Sequence, residues 1–532
     1  MEKLVQEVLK LHGKLKSQRC NWDEHWEEIA KYVLPKKDDV FIKQSNTGGE
    51  KKTNNQYLYD STAIHSNELL ASALHSMLTN PTSLWFGLTT GIEELDQDDK
   101  VKLFLQKATT RIHQVLNNSN FQTEVHEVFL DLCSFGTASM RIEEDSKYIM
   151  RFHSRPIYEL YIRENSKGTV DTVSREYRMT GRQILQEFGE KPFDMHKLDQ
   201  LNKDPLKEWE VIHLVRPSKD MENKANRRKK FTSVHVLRDL DTLLKLSGFY
   251  EFPYVIPRWS KISGETYGRS PAMKSLPDIK MINEIMKATI RSAQKIVDPP
   301  LQVPDDGVLM PLRTTPGAIN YYRAGTKDRI EPLKTDGRPD LGFQLIDQIK
   351  MQIRQSFFID QLQLNEGPQM TATEVIQRTE EKLRLLGPLL GRLHFELLQP
   401  LIDRIFGIMI RKDFIKAEDI PEELQGRVLE VKFASAIARS QKTTEVDNLS
   451  RALQVIGGVS QYNPTVLDMV NTDEIARFVA DRFGLPAEFL KSEDDVEAAR
   501  QARQEQLQQE QQQQQEMHGA EVMQKAAPAL KE

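Results

Sequence analysis

The sequence predicts an α+β fold that is mainly helical, and three patterns in its 532 residues support this prediction. Apolar side chains repeat at spacings of three and four over long segments before residue 138 and after residue 260, as in amphipathic helices. Between those points the sequence alternates or runs β-branched, with turn signals such as NSKG, which is typical of antiparallel strands. After residue 491 the chain becomes Gln-rich, with ten Gln among the fifteen residues 501–515.

Bulk composition narrows the class of protein. With 39% hydrophobic and 28% charged residues, most of the chain can fold, and its length suits two to four domains. A net charge of −5 argues against a protein that coats nucleic acid by bulk positive charge. The two cysteines, Cys20 and Cys133, are too few for a disulfide framework or a structural zinc site, so we expect a reducing compartment.

The first 137 residues are expected to be helical. NWDEHWEEIAKYVLP, residues 21–35, predicts an amphipathic helix that Asn21 caps together with Glu24 and that Pro35 ends. After a polar loop over 36–56, helical patterns cover 61–79, 98–117 and 122–134. Residues 69–92 carry no formal charge, but their Ser, Thr, Asn and His side chains and the Asn80-Pro81 break favour a buried helix, a turn and a strand over a membrane span.

The segment 138–260 predicts a compact unit of mostly antiparallel strands, interrupted by one helix at GRQILQEFG. A basic run, KANRRKKF at 224–231, falls between two strands. It is interpreted first as a solvated hairpin tip, and a contact with nucleic acid or a partner remains the alternative.

Two long helices are expected next. Ser270-Pro271 and the Ser275-to-Asp278 segment are helix-start signals, and an apolar stripe follows to Asp298-Pro299, which ends the helix. The stripe consists of Leu276, Ile279, Ile282, Met286, Ile290, Ala293 and Val297. An irregular segment rich in proline and glycine, 301–340, separates this helix from a second one, whose predicted apolar side carries Leu345, Ile349, Ile353, Phe357 and Leu362.

The second helix runs into NEGPQMTATEV, residues 365–375. Gly367-Pro368 cannot continue a helix, and the capping box from Thr371 to Glu374 starts a new one. A short, sharply bounded loop is therefore predicted. Beyond it we expect a helix over 372–413 kinked at Pro388 and Pro400, and shorter helices over 443–490, one capped by Asn471 and closed by Gly484 and Pro486. The Gln tract is expected to be helical to about residue 515 and disordered after Gly519.

No catalytic or metal-binding constellation is found in the sequence. The Gly48-to-Thr53 run lacks phosphate-loop spacing, and His126-Glu127 has no second His at the spacing of a zinc protease helix. The acidic runs 96–99 and 493–495 could hold a divalent ion but are better explained as residues flanking helix ends. We therefore expect a protein that is not an enzyme and has no cofactor or metal.

Eight segments together match a known family. They are WEEIAKYVLP (26–35), SLWFGL (83–88), FGTASMRIEE (135–144), GTVDTVSREYRMT (168–180), EFPYVIPRW (251–259), GETYGRSPAMKSLPDIKMIN (264–283), VDPPLQVP (297–304) and MTATEVIQRTEEKLRLLGPLLGRLHFELLQPLI (370–402). From about residue 20 to about residue 490 the chain resembles the portal, or head-to-tail connector, proteins of short-tailed tailed bacteriophages.

The resemblance implies a portal-type protomer with these parts. They are an N-terminal helical part of the wing (1–137), a β-rich wing domain (138–260), a first stem helix (261–300), a clip (301–341), a second stem helix (342–364), a tunnel loop (365–371), a long kinked helix with the wing return (372–440), a helical crown (441–490), and a Gln-rich barrel helix with a disordered tail (491–532).

The resemblance also implies a function. Portals are homo-oligomeric rings of about twelve copies at one capsid vertex, closed by head-to-tail interfaces. Double-stranded DNA is packaged and ejected through the ring, and the ring docks the packaging terminase and then tail adaptor proteins. Expected partners also include major capsid and scaffolding proteins but no membrane, with the protein in the host cytoplasm during assembly and then in the virion. The alternatives are a structural capsid or tail component without a DNA channel and, less favoured, a subunit of a DNA-processing enzyme.

Two sets of residues are candidates for the channel. The tunnel loop, which would face the ring axis, comprises Leu364, Asn365, Glu366, Gly367, Pro368 and Gln369. None of them is basic, and this suits a conduit, because each neutralised phosphate would add affinity and slow sliding. Lys287, Arg291 and Lys295 recur every fourth residue on the polar face of the first stem helix. They would either brush the DNA backbone or, as the favoured alternative, pair with Asp347 or Asp360 of a neighbouring copy.

Overall fold

The computed structural model describes residues 2–37, 58–145, 148–220, 229–302, 331–332, 339–362, 386–424, 430–433, 436–460, 470–483, 496, 498–506 and 508. The described chain mixes helices and antiparallel sheets, as predicted. It divides into two compact units: unit 1 comprises residues 1–83 and 114–412, and unit 2 comprises residues 84–113 and 413–532. No helix among the described residues has the length and apolar character needed to cross a membrane.

Unit 1 contains helices α1 (Glu2–Val33), α2 (Thr62–Leu78), α5 (Phe121–Phe135), α6 (Gly181–Phe188) and α7 (Met195–Lys203). It continues with α8 (Pro271–Val297), α9 (Pro339–Ser356), α10 (Ile359–Leu362), α11 (Gly387–Leu393) and α12 (Gln399–Arg411). Helix α4 (Asp99–Asn118) begins in unit 2 and ends in unit 1. The segment 138–260 is β-rich as predicted, but it holds α7 as well as the single helix that the sequence analysis expected there.

Within the described residues of unit 1 there are three antiparallel sheets. The largest has the order β4-β5-β6-β7-β8, with β4 Leu160–Glu164, β5 Val170–Thr180, β6 Glu208–Pro217, β7 Phe231–Leu237 and β8 Thr242–Phe249. The second has the order β3-β2-β9, with β2 Met140–Asp145, β3 Ile149–Ser154 and β9 Tyr254–Val255. A two-stranded pair joins β10 (Leu301–Gln302) to β11 (Glu331–Pro332).

Helix α1 covers one face of the five-stranded sheet. The buried cluster between them consists of Leu4, Val5, Val8, Ile212, Leu214, Val234 and Val236. Further along the helix, the Lys16 ammonium donates to Glu176 at 2.8 Å, and the buried Arg19 guanidinium donates to the carbonyl oxygens of Ile157 and Leu160. The predicted start of this helix at Asn21 is therefore wrong. The first twenty residues continue the helix because their apolar side is buried against strands of distant sequence.

Unit 2 contains α3 (Glu93–Gln97), α13 (Ala436–Ser460), α14 (Thr472–Phe483) and a two-stranded sheet of β1 (Phe86–Thr89) and β12 (Glu430–Phe433). The predicted cap of α14 is confirmed, since Asn471 Oδ1 accepts from the backbone N–H groups of Asp473 and Glu474. Residues 498–506 are helical, which agrees with the prediction for the start of the Gln tract. The predicted disorder after Gly519 concerns residues outside the described chain.

The stretch that the sequence analysis treated as a kinked helix over 372–413 is described from residue 386 onwards. Pro388 lies in the first turn of α11, where the missing N–H group is no loss, so it is not an interior kink. A five-residue π-helical turn, His394–Leu398, directly precedes Pro400 and α12. Pro400 likewise lies in the first turn of α12, so the predicted kink there stays a prediction, although the turn before it is wider than an α-helical one.

Candidate assembly surface on the paired long helices

Helices α8 and α9 form an antiparallel hairpin. Thr289 of α8 lies against Gly342 near the start of α9, whereas Asn283 and Lys350 both contact Asp60, so the two helices run in opposite directions. A Cβ atom on Gly342 would lie 2.6 Å from Thr289 Oγ1. Glycine at this position therefore allows the two backbones to approach closely, and we name the two helices together the α8–α9 hairpin.

The start of α8 is fixed as the sequence predicted. Ser270 Oγ accepts from the Met273 N–H at 3.0 Å and donates to the Ser134 carbonyl at 2.7 Å, and Pro271 occupies the first turn. These contacts satisfy free groups at the helix start and tie it to the end of α5. The helix begins at Pro271, which belongs to the first of the two predicted start signals, and it accommodates Pro277 of the second signal inside.

Asn283 anchors the hairpin to the segment before α2. Its Oδ1 accepts from the backbone N–H groups of Tyr59 at 2.8 Å and Asp60 at 3.1 Å, and its Nδ2 donates to the Ile279 carbonyl at 2.7 Å. The Asp60 carboxylate in turn lies 3.2 Å from the Lys350 ammonium and accepts from the N–H of Thr62, the first residue of α2. One short segment thus links three helices. Sequence reasoning missed this role, because a single Asn beside an apolar stripe gives little signal of burial.

A second anchor fixes the π-helical turn to the β-rich segment. The buried Arg258 donates to both carboxylate oxygens of Glu396, to Glu164 and to the carbonyl oxygens of Thr266 and Gly168. Burial alone would lower the pKa of Arg258, but the hydrogen bonds and charges of the two glutamates outweigh it and raise that pKa. The sequence analysis did not identify this arginine, because its partners are 94 and 138 residues away.

The predicted apolar stripe of α8 divides into two parts. Leu276, Ile279 and Ile282 are buried, but Ile290 and Val297 are 39% and 85% exposed. On α9, Ile349, Ile353 and Phe357 are buried as predicted, whereas Leu345 is half exposed and Ile346 is buried in its place. The sequence pattern therefore placed Leu345 on the wrong side of α9, by one position. Apolar residues are so frequent in this helix that they do not define a single stripe.

Apolar side chains also lie exposed along the hairpin. With exposures from 39% to 85%, they are Met281, Ile290, Ile296 and Val297 on α8 and Phe343, Leu345 and Met351 on α9. Scattered exposed apolar residues are ordinary, and these seven lie on more than one side of the two helices, so they are candidate contact residues for neighbours on either side rather than one continuous patch. We name these seven residues the hairpin apolar surface.

The three candidate basic residues of α8 differ in their surroundings. Lys287 is partly buried, lies 3.6 Å from Glu284 of its own helix and 6.0 Å from the centre of the Tyr59 ring. Arg291 and Lys295 are exposed, and no ion pair joins them to any residue that the structure describes. Asp347 and Asp360 are also exposed. Of these two, Asp347 lies within α9, whereas Asp360 lies in the short α10 that follows it.

The second long helix is not continuous. It ends at Ser356, Phe358 adopts a left-handed backbone conformation with φ of 59°, and the short α10 follows. The prediction of one uninterrupted helix over 342–364 is wrong at this point, because Phe357 and Ile359 are both buried and the chain turns between them. The tunnel-loop candidates Leu364, Asn365, Glu366, Gly367, Pro368 and Gln369 lie outside the described residues, as does most of the predicted clip.

The part of the chain that the structure describes contains no group of three or more His, Cys, Asp or Glu residues placed to hold a metal ion. The observations on the hairpin suit contacts between protein chains, and comparison with known proteins decides the family. The sequence model of a family described as "Bacteriophage head to tail connecting protein" matches residues 5–490. The chain belongs to this family.

Named relatives of this connecting protein agree with that assignment. It is 33% identical over 509 residues to the "Probable portal protein" of Bordetella phage BPP-1, covering 93% of this chain and 90% of the relative. It is 29% identical to the "Portal protein" of Salmonella phage epsilon15, with the same coverage of both chains. A chain from the virion of a native gene transfer agent particle aligns with 75% of this chain over 86% of its own length, with a TM-score of 0.35 and 9% sequence identity. That structural similarity is too low to support an argument.

Proposed function

We propose that copies of this connecting protein form a closed ring at one capsid vertex, through which double-stranded DNA is packaged and ejected. The ring would dock the packaging terminase first and the tail adaptor proteins later, and would contact major capsid and scaffolding proteins. The family and the portal proteins among the relatives support this proposal. In the same proposal, 138–260 is the wing, α8 and α9 are the stem, 301–341 is the clip, 372–440 is the long helix with the wing return and 441–490 is the crown.

The hairpin apolar surface carries the proposal of a ring. In a closed ring each copy would place this surface against a neighbour, which removes the seven side chains from water. Burying half of their exposed surface would contribute roughly 3–6 kcal/mol, because these side chains are on average about half exposed and a fully buried large apolar side chain contributes about 1.5–3 kcal/mol. The exposed charges fit the same arrangement. We assign Arg291 and Lys295 to pairs with acids of the neighbouring copy, with Asp347 better placed than Asp360.

Electron micrographs viewed down the symmetry axis and native mass spectrometry test the ring. A cyclic assembly with a central opening is expected, and a monomer or a solid particle would reject the proposal. A double variant, Leu345→Glu with Met351→Glu, should leave a folded protomer, judged by circular dichroism, that no longer closes into rings. Gln200→Glu with Asn202→Glu is the matched control, because it adds two charges at exposed positions of α7 in the β-rich segment. Rings formed equally well by the double variant would show that the interface lies elsewhere.

The conduit is tested separately from the ring. Particles assembled with the wild-type protein should contain DNA protected from added nuclease, and particles assembled with alanine at Gly367 and Pro368, a variant expected to keep the ring, should not. Incubation of the purified protein with linear DNA and Mg²⁺ or Mn²⁺ tests the enzymatic alternative. Cleavage that a chelator abolishes would favour a DNA-processing enzyme over a passive channel.

A further inference from the structure

The face of the five-stranded sheet opposite α1 carries a polar row. Strand register places Arg175 opposite Leu160 and His213, and His213 opposite His235, which in turn faces Lys245. Paired residues of antiparallel strands share a face, so these side chains form one line across the sheet. The rings of His213 and His235 are stacked 3.9 Å apart. A row of polar and charged side chains therefore lies along this face of the sheet.

The three-stranded sheet packs its own basic residues against this row. Arg141 of β2 is paired with Tyr254 of β9, and the Arg155 N–H donates to the Ser139 carbonyl, which extends the β2–β3 register by one step. Arg141, Arg155 and Tyr254 consequently share one face. A hydrogen bond of 3.1 Å between the Tyr254 hydroxyl and His213 Nδ1 joins that face to the polar row. Three arginines, from β2, from the end of β3 and from β5, therefore converge between the two sheets.

The acids nearby neutralise two of the three arginines. Arg175 donates from Nε to Glu159 at 2.7 Å, and Arg141 lies 2.7 Å from Glu143. The Arg155 guanidinium, in contrast, makes no hydrogen bond or ion pair with any residue in the described parts of the chain, and its Nε atom is buried. The cluster thus holds one positive charge without a counter-charge of its own.

The pKa shifts of Arg155 and His235 agree with an excess of positive charge in this cluster. Burial and then the charges of Arg175 and Arg141 lower the pKa of Arg155. Burial lowers the pKa of His235 to about 3, and Arg141, Lys245 and Arg175 add to this effect. Both stacked histidines are consequently neutral at physiological pH, and they add no charge of their own to the site.

Arg155 is partly buried, and a cation that is partly withdrawn from water without a counter-charge is stabilised by an accompanying anion. Guanidinium groups present planar pairs of N–H donors that match the oxygens of phosphate or sulfate. The location between two packed sheets favours a small ligand over a polymer. We propose that Arg155, flanked by Arg141 and Arg175, binds a small inorganic oxyanion of the phosphate or sulfate type inside the β-rich segment of this connecting protein.

Thermal unfolding of the full-length protein tests the proposal. Low millimolar phosphate, compared with chloride at equal pH and ionic strength, should raise the Tm of the wild type by about 2–4 °C, because a ligand of the native state stabilises it. Arg155→Met should abolish that rise. Its Tm in chloride should equal or exceed that of the wild type, because the substitution removes a repelled charge, whereas an arginine with only a structural role would lower it. Arg163→Met, at an exposed position of β4, is the matched control and should keep the phosphate effect.

Isothermal titration with phosphate and with sulfate provides an independent measurement, which also serves if Arg155→Met does not fold. Arg155→Lys keeps the charge but loses the paired donors, and it should bind phosphate about tenfold more weakly than the wild type. The proposal is overturned if low millimolar phosphate has no effect on the wild type. It is equally overturned if phosphate stabilises Arg155→Met or Arg155→Lys as much as the wild type, since general salt effects act on every variant alike.

Discussion

Replacement of Asn283 by Leu is expected to loosen the attachment of the α8–α9 hairpin. Leucine has the same branching and the same number of side-chain heavy atoms as asparagine, although it is bulkier, and the acceptor for two backbone N–H groups is lost. The N–H groups of Tyr59 and Asp60, which now donate to Asn283 Oδ1 at 2.8 and 3.1 Å, would have no partner in the protein.

The expected loss in the free energy of unfolding follows from these two hydrogen bonds. A buried donor left without a partner costs about 1–3 kcal/mol, and water reaches this partly buried segment, so the lower part of that range applies to each group. We therefore expect Asn283→Leu to lower the free energy of unfolding of unit 1 by about 2–4 kcal/mol. The hairpin apolar surface would then be held less firmly in place, and ring formation should require a higher protein concentration.

Urea titration followed by circular dichroism measures the stability, and native mass spectrometry across a concentration series measures the ring. Gln294→Leu is the control, because it removes an exposed amide from the same helix. A stability loss for Asn283→Leu within about 0.5 kcal/mol of this control would refute the anchoring role, since that is the range of ordinary surface substitutions.

Three further predictions concern other parts of the chain. Arg258→Met should lower the free energy of unfolding in urea by about 2–4 kcal/mol, because Glu396 keeps a partly buried charge without its main partner while Glu164 retains Lys261, and a second change, Glu396→Gln, should recover part of the loss. Burial raises the pKa of Asp403 to about 6, above its unfolded value of 3.8. Its ionisation therefore lowers the stability of the fold fully above about pH 6, and this loss disappears as the pH falls below 3.8. Allowing for solvent screening, Asp403→Asn should be more stable than the wild type by about 1–2 kcal/mol at pH 8 and lose this advantage towards pH 4 in thermal melts, with Asp199→Asn as control. Alanine at Gly367 and Pro368 should leave rings intact but impair DNA packaging or retention, and normal packaging would contradict the role assigned to the loop.

Local signals in the sequence predicted several helix boundaries correctly. Ser270 with Pro271 and Asn471 mark helix starts because their chemistry acts within one turn of the chain. The Asn21 signal failed, although the residue type and spacing were equally favourable. Capping boxes show where a helix can begin, whereas burial against strands more than 200 residues away decided that α1 continues from Glu2 to Val33.

Long-range polar anchors could not be predicted from the sequence. The partners or neighbours of Asn283, Arg258 and Arg155 are brought to them by sheet pairing and helix packing. No local sequence pattern encodes either. Their residue types give little signal, because a single asparagine or arginine within an amphipathic segment usually lies on its solvated side. What distinguishes them is burial together with partners from distant strands and helices, and these appear only once the chain has folded.

The apolar stripe of α8 shows how this limit of sequence-based prediction bears on function. Leu276, Ile279 and Ile282 share their spacing with Ile290 and Val297, so periodicity alone assigns all five to one buried face. The protomer buries the first three and leaves the last two exposed. An amphipathic pattern therefore records every surface that is removed from water in the working state, including surfaces that another copy covers. Apolar positions that fit the helical period but lie exposed in one chain are for this reason the residues at which a ring contact should be sought first, and in this protein they lie on the α8–α9 hairpin.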